Sequence, residues 1–320
     1  DRAVEYLVER VDGSNRLGQR VSSTNWHDSD AARPLCGYRV VGLDADGIEV
    51  GRTPATYAIN ATAAWGVAYV GNKARIRTDE TFPGIILETE GVAPQAVKLD
   101  GIEKDWVVQD VAVSADKNIL ITVSRSKIGD VSGWMLYDKK YRLISKHVMK
   151  SGKGDGQFRS PMGGGFDSGG KIYIADTGNN RIQQFNSKGK FVGVIAENVV
   201  RLPMKVTVDD KGRMLVADSG NNRVAIFTVG QEGKYALTSS LMSGMKEPCY
   251  VYSDEDANVF VSTNRVAGIY EFNAKGDLIW TYRGTDDEPV SGPRGLWMNG
   301  KELNFVDVST NEVRTVRPGR

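Results

Sequence analysis

A six-residue phrase occurs twice in this chain, and its spacing limits the possible folds more than any other feature. Asp176-Thr177-Gly178-Asn179-Asn180-Arg181 returns 42 residues later as Asp218-Ser219-Gly220-Asn221-Asn222-Arg223. Pro161 and Pro203 keep that offset, and so do Phe185 and Phe227. A repeat of about 40–50 residues marks a stack of supersecondary units, each too small to bury its own apolar face.

The period extends beyond the two clear copies. Phe185 ends a short alternating segment and is followed by Asn186-Ser187-Lys188-Gly189, a polar turn closing on glycine. That is hairpin chemistry, because glycine takes the positive φ that a tight turn needs. Leu43-Asp44-Ala45-Asp46-Gly47 and Phe272-Asn273-Ala274-Lys275-Gly276 have the same shape. Tyr137-Asp138-Lys139-Lys140 is a variant without glycine, and Leu87-Glu88-Thr89-Glu90-Gly91 is a weaker copy. The markers fall at 43, 87, 137, 185, 227 and 272, and Val316 is a seventh at the end of Val313-Arg314-Thr315-Val316.

Within one unit, Val206-Thr207-Val208, Arg213-Met214-Leu215-Val216-Ala217 and Arg223-Val224-Ala225-Ile226-Phe227 are short strands separated by Asp, Asn and Gly turns. Four such strands per unit predict an all-β, seven-bladed β-propeller with four antiparallel strands per blade. Residues 12–35 are polar and poor in periodicity; as a loop they would leave six blades. The last unit lacks a fourth strand, and an open ring leaves an unpaired edge. Residues 1–11, which contain Ala3-Val4-Glu5-Tyr6-Leu7-Val8-Glu9-Arg10-Val11, are the expected closing strand. A terminal tail is the alternative. The expectation is one propeller domain over 1–320, with 12–55 as its first blade and 56–320 as the others.

The run Pro161 to Phe185, through Gly163, Gly170-Lys171-Ile172-Tyr173-Ile174-Ala175 and the repeated phrase, resembles the NHL repeat, and Pro203 to Phe227 matches almost as well. The other units keep fragments, such as Thr263-Asn264-Arg265 and Asp307-Val308-Ser309-Thr310-Asn311. NHL proteins are β-propellers, so the resemblance and the strand reading agree. Asp176, Asn179, Asn180 and Arg181, with Asp218, Asn221, Asn222 and Arg223, read as structural. Aspartates cap turns, asparagines tolerate left-handed backbone, and arginines pair with acidic groups.

Chemistry-bearing sets are harder to find. The NHL-like amidating lyases rely on several metal-bound histidines, and this chain has two, His27 and His147. A catalytic zinc takes three protein ligands. No Gly-x-Ser-x-Gly elbow is present, and Gly163-Gly164-Gly165 precedes no predicted helix; it reads as a flexible interblade turn. The acidic clusters Asp254-Glu255-Asp256 and Asp286-Asp287-Glu288 read as solvated loops, because their spacing is irregular for calcium. Cys36 and Cys249 fall in non-adjacent blades, which disfavours a disulfide. No catalytic, metal-binding or cofactor-binding residues are expected, and no cofactor.

The net charge of +1, from 41 basic and 40 acidic residues, argues against nucleic acid, which requires a basic field. No apolar run reaches the length of a membrane span. The first residue is Asp1, which suggests a removed leader and an exported, periplasmic or otherwise extracytoplasmic setting. The function expected is a non-catalytic propeller subunit or interaction scaffold whose partners are other protein subunits. In size and architecture the chain is similar to the cofactor-free propeller subunit of hydrazine synthase, a bacterial multi-subunit redox complex. The alternatives are a metal-dependent hydrolase, lactonase or lyase working at the central channel, and an RNA-binding propeller.

Overall fold

In the computed structural model the described residues are 5–11, 18–21, 36–43, 46, 49–52, 56–58, 67–69, 74–78, 84–89, 92–103, 106–125, 131–230, 232–265, 267–285, 289–307 and 312–319. An N-terminal sheet has the order β2 (Gly18–Val21), β1 (Glu5–Val11), β3 (Cys36–Leu43) and β4 (Glu49–Arg52), with β5 (Thr56–Ala58) also on β3.

Five blades of four antiparallel strands follow, each in chain order from the inside outwards. The first is β6 (Val67–Tyr69), β7 (Ala74–Thr78), β8 (Gly84–Thr89) and β9 (Val92–Lys98). The second is β10 (Trp106–Val113), β11 (Ile119–Arg125), β12 (Val131–Tyr137) and β13 (Leu143–Lys150). The two clear repeats supply the third, β14 (Gly164–Phe166), β15 (Ile172–Asp176), β16 (Arg181–Phe185) and β17 (Phe191–Ile195), and the fourth, β18 (Pro203–Val208), β19 (Met214–Asp218), β20 (Arg223–Val229) and β21 (Tyr235–Leu241). The fifth is β22 (Lys246–Ser253), β23 (Val259–Arg265), β24 (Gly268–Phe272) and β25 (Leu278–Tyr282). A three-stranded sheet ends the chain: β26 (Arg294–Asn299), β27 (Glu302–Asp307) and β28 (Glu312–Val316).

The all-β propeller class is therefore correct, and the blade count is not. Among the described residues there are five four-stranded blades, not seven or six. The marker at Leu43 lies in the N-terminal sheet, where β1 sits between β2 and β3, out of chain order. The marker at Val316 lies in a sheet of three strands. The expected closing strand is also corrected. Residues 5–11 pair with β2 and β3 rather than with β28. Instead, β26 packs against β22 on one side and against β6 on the other, so the inner strands surround an axis.

Local chemistry explains the hairpins. Asp138, Asp167, Asn186, Asp209 and Asn273 each use one side-chain oxygen to accept two backbone N–H groups of the following turn. This is the Asx turn that a short polar side chain favours. Gly189 and Gly276 sit at φ +82° and +92° in two of these turns. In the variant without glycine, Tyr141 takes the strained position at φ 63°.

The cores lie between successive sheets. Leu120, Trp134 and Leu136 of the second blade pack with Phe158, Ile172, Ile174 and Phe185 beside the third. Gly163-Gly164-Gly165 is part of this packing rather than a flexible turn. Gly164 and Gly165 begin β14, and a Cβ on Gly163 or Gly165 would come within 2.5 or 2.6 Å of the Met204 or Val206 carbonyl oxygen. Side chains are absent there because the next strand runs too close.

Candidate functional site: repeat turns and the axial ion pair

The repeated phrase forms two equivalent turns. Each begins at the end of a second strand, passes through a short 3-10 turn and enters a third strand. Asp176 is fully buried, and its oxygens accept bonds from Arg159 N (2.8 Å), Arg181 Nε (2.8 Å), Gln183 Nε2 (2.9 Å) and Asn179 Nδ2 (2.9 Å). Arg181 also donates to the carbonyls of Gly154 and Gln157. Asp218 repeats the pattern with Arg201 N, Asn221 Nδ2 and Arg223 Nε, at 2.7, 2.9 and 2.7 Å. Asn180 and Asn222 take the left-handed conformation at φ 56° and 54°. Their Oδ1 atoms accept from Leu202 N and Glu247 N, which belong to the segment entering the next blade. These side chains thus bond chiefly to the turn itself and to the segments that join neighbouring blades.

A second cluster lies on the axis. In β10, β18 and β22 the pairing register slips by one residue at Gln109, Met204 and Cys249. Such bulges bend a strand and re-aim the next side chain. The residues that follow them are Asp110, Lys205 and Tyr250. Lys205 Nζ lies 2.5 Å from Asp110 Oδ2, with both side chains 6% exposed. The same ammonium lies 4.8 Å from the centre of the Tyr250 ring, a cation–π contact. Gly164 N donates to Asp110 Oδ2 from the blade between. Burial raises the Asp110 carboxyl, with Lys205 opposing. For Lys205, burial pulls the ammonium down, but Asp110 and Tyr250 outweigh it and the net shift is upward. Burial raises Tyr250 as well.

This cluster borders a cavity of about 350 Å³, lined by residues of all six inner strands, among them Ala68, Val111, Phe166, Lys205, Tyr250 and Trp297. The sequence reading missed Asp110, Lys205 and Tyr250. Its one available signal was a charge inside an apolar strand, with Lys205 and Tyr250 each two residues after a repeat proline, Pro203 and Pro248.

The remaining candidates are scattered. Asp254, Glu255 and Asp256 line a groove of about 580 Å³ with Tyr252, Lys301 and Arg317, and Asp254 accepts from Asn258 within its own turn. Asp286, Asp287, Glu288 and His27 lie outside the described residues. His147 is half-buried between blades, stacked on Trp134 at 5.6 Å and edge-on to Phe158 and Phe185. Its Nε2 donates to the Gly156 carbonyl at 2.8 Å. Cys249 is buried with its thiol 3.3 Å from Ser262 Oγ, and the side chain of Cys36 is outside the described set. Among the described residues no group of three His, Cys, Asp or Glu is placed to hold a metal ion.

Residues 160–185 and 201–227 match the model of the NHL repeat. The matched segments run from the entry of the third and fourth blades to the third strand of each, short of the outer strands β17 and β21. No curated protein matches the sequence. Solved structures agree on the fold at low identity. A putative gluconolactonase is 13% identical with a TM-score of 0.59, over 82% of this chain and 90% of its own. A catalytically inactive virginiamycin B lyase from Staphylococcus aureus, solved with Quinupristin, is 10% identical with a TM-score of 0.56, over 97% and 98%. A chain of a nidogen/laminin complex is 15% identical with a TM-score of 0.57, over 89% and 95%. These likenesses concern the fold alone; no helix of the described residues is long and apolar enough to cross a membrane.

Proposed function

We propose that this chain is a non-catalytic propeller module that binds other protein subunits. The observation that carries this reading is the axial ion pair. Propeller enzymes of the hydrolase and lyase type collect carboxylates around a divalent metal at the axis. Here the ammonium of Lys205 sits against Asp110, neutralises it and makes a second cation costly by like-charge repulsion. The nidogen/laminin neighbour is a protein–protein complex on the same fold, which adds support by analogy alone. The sharper version, an exported subunit of a multi-subunit redox enzyme such as hydrazine synthase, rests on size and architecture.

Co-purification from the native source, followed by size-exclusion chromatography, tests the reading. Migration in a larger assembly with no turnover by the isolated chain is the expected result. The second reading, a hydrolase, lactonase or lyase, is favoured by the axial cavity of about 350 Å³. Turnover of a lactone or ester by the isolated chain with Ca²⁺, Mn²⁺ or Zn²⁺, together with a metal-dependent rise in melting temperature, would establish that reading and overturn the first.

A further inference from the structure

Most turn asparagines described so far are tied down by their side chains. Asn186 and Asn273 cap their own hairpins through Oδ1, Asn180 and Asn222 accept from the segment entering the next blade, and Asn258 donates to Asp254 at 2.9 Å. Asn299 is different. It ends β26 at a hairpin tip, opposite Glu302, and among the described residues its side chain makes no hydrogen bond. It is also the one asparagine of the chain that is followed by glycine.

Gly300 and Lys301 form the two-residue loop between Asn299 and Glu302, with Gly300 at φ +60°. Glycine supplies that positive φ without a steric penalty. Asn299, Gly300 and Lys301 are all exposed, and a Cβ on Gly300 would meet no atom within 4 Å. Buried packing begins one pair further in, at Leu303.

This freedom permits a reaction within the backbone. The Gly300 nitrogen attacks Cγ of Asn299 and closes a five-membered imide ring, and glycine has no side chain to obstruct it. The N–Cγ bond forms as the Cγ–Nδ2 bond breaks; the amide proton passes to solvent hydroxide and Nδ2 leaves as ammonia. Water then opens the ring. Cleavage at Cγ gives aspartate, and cleavage at the Asn299 backbone carbonyl carbon gives isoaspartate. Ring closure requires Asn299 to leave its extended conformation, so the pair Asn299↔Glu302 must open. Opening a terminal pair that covers no core is among the least costly local motions of a fold.

We infer that Asn299 deamidates in the folded protein, with water as the only co-reactant, to a mixture of aspartate and isoaspartate at the tip of the β26–β27 hairpin. The inference goes beyond the protein-binding reading and stands apart from it. The tip borders the groove lined by Gly300, Lys301, Asp254, Glu255 and Asp256, so either product adds a carboxylate to its lip. Isoaspartate also lengthens the backbone of a two-residue loop by one carbon.

The test uses the full chain, freshly purified and then held under mildly alkaline native conditions. Peptide mapping by mass spectrometry follows conversion at each asparagine, and enzymatic methylation specific for isoaspartate identifies the rearranged product. Asn299 should convert at least about tenfold faster than Asn186, whose two Oδ1 hydrogen bonds must break first. Low urea separates opening of the tip from global unfolding. A rate that stays nearly flat up to the foot of the unfolding transition is the expected result. An unmodified Asn299, a rate no faster than that of Asn186, aspartate with no isoaspartate, or a rate that climbs with urea as steeply as global unfolding would each overturn the inference.

Discussion

At the scale of single residues, the carboxylates of the repeated phrase and the axial pair make the sharpest predictions. Asp176 is fully buried and Arg181 is 4% exposed, so Asp176→Ala strands a buried guanidinium. The expected loss is about 3–5 kcal/mol, read as a shift of the urea midpoint. The side chain of Arg223 is 19% exposed, and water can solvate it in part, so Asp218→Ala should cost less. At the axis, Lys205→Met leaves Asp110 buried without its cation and should cost a similar ~3–5 kcal/mol. Adding Asp110→Asn keeps an acceptor for Gly164 N and removes the charge, so the double variant should recover most of that loss. The two sets differ in legibility. Asp176, Asn180 and Arg181 lie within six residues and repeat, so their turn chemistry was readable. Asp110 and Lys205 are 95 positions apart, and only the closed ring brings them together.

At the scale of elements, the hairpins were legible because a single Asp or Asn fixes each turn locally. The bulges were not, since a slipped register depends on the neighbouring strand. Reading Gly163-Gly164-Gly165 as a flexible turn failed for a related reason: what glycine serves there is the approach of β18, 40 residues later in the chain. His147 offers a test of how outer strand β13 packs on the next blade. Burial among Trp134, Phe158 and Phe185 lowers its pKa below the ordinary 6.5, with the Gly156 carbonyl opposing. The unfolded chain therefore takes up this proton first as the pH falls. The contribution of the neutral ring is complete above about 6.5 and declines as the pH drops through the lowered value. Melting temperatures across pH 5–8 should show a step in the wild type that is smaller in His147→Gln.

At the scale of the whole molecule, the period read from the sequence located third strands correctly but could not say how sheets close. Leu43 and Val316 obey the spacing, yet one lies in a sheet with β1 out of order and the other in a sheet of three. Sheet membership is a long-range property, and a marker on one strand carries no record of its partners. The function predicted at this scale is assembly, with the isolated chain inert toward lactones and esters and its melting temperature unmoved by EDTA.

Sectors built to one plan carry a hazard of their own during folding, because any sector can pack acceptably beside any other. The ion pair from β10 to β18 skips the sector between them and joins two unlike members of the series. A chain that docked its sectors in the wrong succession would bury a lone carboxylate in one place and a lone ammonium in another. The pair therefore works as an address, legible only when the sectors stand in their native order.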